Sequence, residues 1–219
     1  MDKVVKEKQK TIMIVNYGMG NIGSVANALK FLGGQYFISS KRDDLEKADA
    51  FILPGVGAFG AAMQNLNKLE LVQGLTNEVM YCKKPFLGIC LGMQLIAKDS
   101  DELGVHEGFG WIDGHVKAFQ TSYRFRVPHV GWNQIELSVE SPLYRRIDDG
   151  AHFYFDHSFY LECETEIIAA KCEYGRNFVA AIEKENIFAA QFHPEKSQRN
   201  GLKLVRNFLN IVNEENASC

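Results

Sequence analysis

In the first half of the chain, short runs that are apolar almost throughout alternate with longer stretches that are apolar along one side. The runs are Thr11 to Val15, Ala50 to Leu53 and Phe86 to Ile89, with a less apolar one, Gln35 to Ser40, between the first two. The one-sided stretches are Asn21 to Leu32, Ala58 to Asn67, Leu71 to Tyr81 and Leu91 to Lys98. A run apolar on every side suits a strand buried on both faces, and the one-sided stretches suit helices that cover it. Turn residues mark the junctions: Gly33-Gly34, Pro54-Gly55 and Lys84-Pro85. This alternation predicts a parallel sheet with helices on both faces, hence an α/β fold.

The second half has a different rhythm. Trp111–Phe119, Gln134–Leu137, His152–Phe155, Ile167–Cys172, Phe178–Ile182 and Ile187–Gln191 read as strands joined by short turns, partly antiparallel. A last helix, Gly201 to Val212, carries Leu202, Val205, Phe208, Leu209 and Val212 on one face. With no repeat or linker, residues 11–213 form one predicted domain, preceded by a flexible extension at 1–10 and followed by a tail at 214–219.

Composition removes several classes of function. A net charge of −3 offers no basic field for nucleic acid or anionic lipid. No apolar run reaches the roughly 18–20 residues of a membrane-spanning helix, and the polar start lacks a secretory signal, so the chain reads as cytoplasmic. Five cysteines without a Cys-x-x-Cys pair argue against a disulfide framework and a structural zinc. No His-Glu-x-x-His pattern is present, and neither metal nor cofactor is expected.

Gly88-Ile89-Cys90-Leu91-Gly92 falls where a buried strand turns into a helix. A nucleophile there is lifted off the sheet edge, and flanking glycines relieve the crowding of a sharp bend. The helix start offers free N–H groups and a partial positive charge that favours thiolate, with the Leu91 N–H directed at an oxyanion. The other reading of the pentapeptide is a buried core cysteine. Gln94, four residues on, shares the face of Cys90 on a helix, or is an ordinary surface glutamine.

Near the other end, Gln191-Phe192-His193-Pro194-Glu195 follows a strand-like run. In an extended segment His193 and Glu195 point the same way, and Pro194 is expected to keep it extended. A carboxylate beside an imidazole sets its tautomer and stabilises the imidazolium. Alone, the tripeptide also fits a surface strand end. Paired with a cysteine elbow it becomes a candidate triad of Cys90, His193 and Glu195.

The elbow with Gln94 and the late His193-Pro194-Glu195 resemble the class I glutamine amidotransferases. Four stretches are similar to one branch, the amidotransferase subunits of imidazole glycerol phosphate synthase: Asn16-Tyr17-Gly18-Met19-Gly20-Asn21, Pro54-Gly55-Val56-Gly57-Ala58-Phe59, Pro128-His129-Val130-Gly131-Trp132-Asn133, and His193 to Ser197. The likeness runs from Thr11 to Leu209. It implies a three-layer, flavodoxin-like fold with a mainly parallel central sheet and a partly antiparallel C-terminal half. It also implies a glutaminase that forms a Cys90 γ-glutamyl thioester and feeds ammonia through a channel to a (βα)8 barrel cyclase, as a heterodimer, in histidine biosynthesis. The family's oxyanion positions fall on Leu91, Val56 and Gly57, the last two in a strand that must rearrange. Its L-glutamine-binding positions fall on Gly57, Gln94, His157, Ser158 and Phe159, and its partner-interface positions on Asn21, Trp132, Tyr154 and Lys196. By residue type alone, Trp132 belongs in a core.

Asp156 and Phe159 depart from the family, which usually has an aliphatic residue before the histidine of His157-Ser158 and often a tyrosine after the serine. That departure, and Gly110-Trp111-Ile112-Asp113, leave open a paralogous amidotransferase subunit serving the amidination of a cell-surface sugar. A free-standing γ-glutamyl cysteine hydrolase is a further alternative. A non-catalytic regulatory subunit is expected to lack a triad member. Gly18-Met19-Gly20-Asn21-Ile22-Gly23 imitates a dinucleotide fingerprint, but the run after it ends in Ser39-Ser40-Lys41-Arg42 instead of a ribose-binding acid.

Overall fold

A computed structural model describes residues 9–120 and 125–214. Apart from residues 9, 10 and 214, the predicted extension at 1–10 and tail at 214–219 lie outside the described residues. Residue 214 ends the last helix and does not start a tail.

The first half contains β1 (Thr11–Val15), α1 (Ile22–Leu32), β2 (Gln35–Ser39), β3 (Ala50–Gly55), α2 (Phe59–Lys68), α3 (Leu71–Thr76), β4 (Phe86–Cys90) and α4 (Leu91–Leu95). The second half contains β5 (Asp99–Ser100), β6 (His106–Glu107), β7 (Gly114–Ala118), β8 (His129–Gln134), β9 (Glu136–Leu137), β10 (His152–His157), β11 (Phe159–Cys163), β12 (Ile168–Glu173), β13 (Asn177–Lys184), β14 (Ile187–Ala190) and α5 (Gln198–Glu214). The main sheet has the order β2-β1-β3-β4-β14-β13-β12-β9. Pairing is parallel from β2 through β14 and antiparallel from there to β9. β10 and β8 form a separate antiparallel ribbon, and β11, β7, β5 and β6 a small second sheet.

Alternation along the central strands divides the core between the two faces. In β1, Ile12 and Ile14 pack with α1 and α5, while Met13 and Val15 pack with α2 and α3. Ala50 and Ile52 of β3 repeat the first pattern, Phe51 and Leu53 the second. Four of the five apolar residues expected to line α5 are buried, and Leu202 is half-buried.

Several expected boundaries move, each for a tertiary reason. The helix expected over Leu91 to Lys98 stops at Leu95. The carbonyls of Leu95, Ile96 and Ala97 accept instead from the N–H groups of Phe109, Trp111 and Gly110, which cross the helix end. The strand expected from Trp111 begins only at Gly114, because Trp111 packs edge-on against Phe86 at 4.9 Å in a loop. The stretch Leu71 to Tyr81 is α-helical to Thr76 and continues as a wider π turn. β5, β6, β11 and nearly all of β8 lie outside the expected strands. β8 carries Gly131 and among the described residues pairs only with β10, so it has no two-sided apolar signal. Cys90, Cys163 and Cys172 are free, whereas Cys82 is disulfide-bonded.

Candidate active site

Cys90 is the last residue of β4 and precedes α4 with φ 54 and ψ −108, a conformation that a residue with a side chain rarely holds. The surrounding glycines are imposed by space. A Cβ on Gly92 would run into the Leu53 carbonyl, one on Gly88 would lie 2.7 Å from the Gly92 oxygen, and one on Gly55 would strike the Tyr17 hydroxyl. The bend is possible only because three neighbouring positions lack side chains.

Cys90 is 5% exposed and packs with the core, yet it opens into a cavity of about 420 Å³. Val56, Gly57, Leu91, Gln94, His157, Ser158 and Phe159 line that cavity, so the expected oxyanion and glutamine-binding positions converge there. Glu102, Pro128 and Asp156 complete the wall.

His193 follows β14, which lies beside β4 in the sheet. Its N–H donates to the Tyr154 carbonyl at 2.8 Å, and its carbonyl accepts from the Ser197 hydroxyl at 2.6 Å. Its Nδ1 donates to Glu195 at 2.8 Å, with both side chains buried. Pro194 does not hold the segment extended, as the sequence reading expected. It opens a 3-10 turn over Pro194–Lys196, which curls Glu195 back onto the ring.

Burial is the largest influence on His193 and lowers its pKa. The Cys90 thiol and the Glu195 carboxylate outweigh it and hold the pKa up at about 10. Among the described residues Nε2 has no well-aligned hydrogen-bond partner, so Cys90 acts on the ring by proximity.

Gln94 is a buried constraint, not a surface residue. At 5% exposure, its Nε2 donates to the Phe159 carbonyl and to Gln191 Oε1, both at 3.0 Å. Gln191, fully buried, donates from Nε2 to Cys90 Sγ at 3.6 Å. His157 donates from Nδ1 to the same Phe159 carbonyl at 2.7 Å, and its Nε2 meets His129 Nδ1 at 3.1 Å. Burial pushes the pKa of His129 down to about 4 and that of His157 to about 3.

Sequence reasoning passed over Gln191, Glu102 and the pairing of His129 with His157. For Gln191 a signal existed: it stands two residues before His193 at the end of the same strand-like run. Glu102, inside Asp99-Ser100-Asp101-Glu102, gave none.

Of the expected interface positions, Trp132 is 47% exposed, which corrects its assignment to a core by residue type. Its ring lies 6.1 Å from that of Tyr154, Lys196 Nζ sits 5.4 Å from the Tyr154 centroid, and Lys196 is 3.8 Å from the Asp156 carboxylate. Asn21 precedes α1 without capping it through its side chain. In the dinucleotide-like turn, nothing lies within 4 Å of a Cβ on Gly23, whereas a true fingerprint needs its third glycine for close helix–strand packing. Among the described residues no His, Cys, Asp or Glu cluster suits a metal ion, and no helix is long and apolar enough to cross a membrane.

Residues 13–212 match the family "Glutamine amidotransferase class-I". The chain is 48% identical over 200 residues to "Imidazole glycerol phosphate synthase subunit HisH 1" of Campylobacter jejuni, covering 91% of this chain and all of that one. It is 44% identical over 202 residues to "Imidazole glycerol phosphate synthase subunit HisH 2" of Pseudomonas aeruginosa, covering 92% of this chain and 100% of that one. In fold it is similar to a solved glutamine amidotransferase, with a TM-score of 0.73 at 18% identity over 92% of this chain and 98% of the other.

Proposed function

This chain belongs to the class I glutamine amidotransferases, and from that premise we propose that it is the glutaminase subunit of an imidazole glycerol phosphate synthase in histidine biosynthesis. One observation carries the chemistry. Cys90, held at a strained elbow, opens into a cavity large enough for glutamine and acts on a buried imidazole that Glu195 orients. The cavity falls within the roughly 300–1,000 Å³ span of small-molecule sites.

In the proposed cycle the Cys90 thiolate attacks the side-chain amide carbon of glutamine. The oxyanion is met by the Leu91 N–H and, after the Val56–Gly57 peptide turns over, by a second backbone N–H; the φ of +98 at Gly57 suits a glycine able to make that turn. His193, protonated at neutral pH by its raised pKa, gives Nε2–H to the departing nitrogen, and ammonia leaves a γ-glutamyl thioester. The now neutral imidazole draws a proton from water as the water attacks the thioester carbonyl. Collapse releases glutamate and restores Cys90. Glu195 accepts the Nδ1–H throughout, which keeps Nε2 facing the chemistry. Glu102, which lines the cavity and whose Oε2 accepts from the Phe59 N–H at 2.6 Å, supplies the negative charge that the α-ammonium of glutamine requires.

The chain acts as a subunit of a complex, and the ammonia passes to a (βα)8 barrel cyclase seated over Trp132, Tyr154, Lys196 and Asn21. A second reading keeps the glutaminase but delivers ammonia to a barrel that amidinates a cell-surface sugar. It is favoured by Asp156, paired with Lys196 beside the same face where the family usually has an aliphatic residue. Glutamate release by the purified chain, alone and with each barrel, is the test. Low release alone and a steep rise with the cyclase support the proposal. A rise with only the sugar-pathway barrel favours the second reading, and strong release by the chain alone would sink the subunit role.

A further inference from the structure

We propose that Gln191 belongs to the catalytic machinery: its amide N–H holds and stabilises the Cys90 thiolate, in an orientation that the surrounding network leaves no freedom to reverse. The inference rests on Cys90 being the nucleophile. Gln191 is fully buried, so both ends of its amide need partners. Its orientation follows from an acceptor that cannot change role. The Phe159 carbonyl only accepts, so Gln94 must turn its NH2 group toward it. The same NH2 group also reaches Gln191 at 3.0 Å, which requires the Gln191 oxygen there. The Gln191 NH2 group is thereby aimed at Cys90 Sγ, 3.6 Å away.

A neutral thiol is a weak acceptor, so this contact is a poor use of a buried donor while the sulfur is protonated. A thiolate makes it a charge-assisted bond, stronger in the reactive state than in the resting one. The thiol proton has its own outlet in the Asp156 carbonyl, 3.7 Å from Sγ, so Gln191 does not compete for it. His157 secures the far end of the chain: its Nδ1–H occupies the other side of the Phe159 carbonyl and pins the segment to which Gln94 is tied.

The test is covalent labelling of Cys90 in the full-length protein by a diazoketone analogue of glutamine, with the maximal labelling rate separated from the half-saturating concentration. Simple alkylation by iodoacetamide is followed across pH in parallel. Gln191→Leu should lower the maximal rate at least about tenfold, the loss expected for a hydrogen bond to a charged group, with half-saturation changed less than about twofold. Its alkylation profile should move to higher pH. Gln191→Glu keeps the shape and the oxygen facing Gln94 but sets a carboxylate against the sulfur, so it should label more slowly still. It carries the test if the leucine variant fails to fold. Parental labelling rates in the folded variants, or a rise in half-saturation alone, would overturn the inference. Absence of Cys90 labelling in the unaltered protein is a separate outcome, which refutes the nucleophile itself.

Discussion

Two kinds of buried histidine lie within one site, and they are driven in opposite directions. His193 is 1% exposed and its pKa stands at about 10, while His129, 2% exposed, is held at about 4 and His157, 6% exposed, at about 3. Burial penalises the cation in all three. The difference lies in what faces the rings. His193 has a thiol and a carboxylate; His157 has a carbonyl and the other imidazole; His129 lies between Phe155 and Tyr174, stacked at centroid distances of 4.8 and 3.9 Å. The first environment makes a proton carrier and the second a fixed framework. Each ring of the His129–His157 pair has its tautomer set by the bond chain that starts at the Phe159 carbonyl, an acceptor only.

The largest test of this contrast removes the thiol. Cys90→Ala should abolish glutamine-driven turnover while leaving the partner's use of free ammonia intact, a loss on the order of 10⁴-fold or more by analogy with other triads. It should also lower the His193 pKa, read by NMR titration; an unchanged value would show that the carboxylate alone holds it up. In the intact protein the raised pKa contributes stability that is fully present below 6.5 and is lost as pH climbs through about 10.

Next in size, Glu195→Gln preserves shape but removes the charge that orients His193. Glutamine turnover should fall on the order of 10³-fold with little change in KM, and retained turnover would remove Glu195 from the mechanism.

The framework pair predicts the opposite pH behaviour. Because the folded pKa of His129 lies below its ordinary 6.5, its stabilising effect is intact above that pH and is lost as pH falls through about 4. Denaturant titrations should show roughly 2–3 kcal/mol less stability near the bottom of that window. His129→Asn should remove the His129 share of that acid limb and leave the share of His157, which is depressed chiefly by its own burial; an unaltered limb would mean that His129 titrates normally.

The smallest effect is expected at the outer end. Asn133 approaches His129 Nε2 at 3.4 Å, too long for a strong bond, and its 2.8 Å bond to the Glu173 carbonyl is exposed to water, so Asn133→Ala should cost about 1 kcal/mol and leave the acid limb in place. A larger loss on the acid limb would extend the framework along β8 to Asn133.

What could be read in advance differs between the two groups. Cys90, Leu91 and Gln94 follow from a turn whose crowding is local, so Gly88 and Gly92 announce it. His193 and Glu195 were legible as a pair, although by a turn at Pro194 and not by strand alternation. The framework was not legible, because His129 and His157 come from opposite strands of a two-stranded ribbon whose first strand carries no periodic signal. Glu102 is an ordinary polar residue until the fold aims it, and the position of Gln191 two residues before His193 does not say which atom its amide turns to Cys90.

From the amino-acid order alone came the parallel half of the sheet, the elbow and the candidate triad. Each depends on sterics and periodicity over a few neighbouring positions, which composition along the chain records directly. Only the tertiary structure decided which buried imidazole carries a proton, which amide faces the sulfur and which carboxylate enters the cavity. Those outcomes depend on what stands across a gap of a few ångströms, supplied by strands far apart in sequence, and protonation responds to that local field more than to residue type.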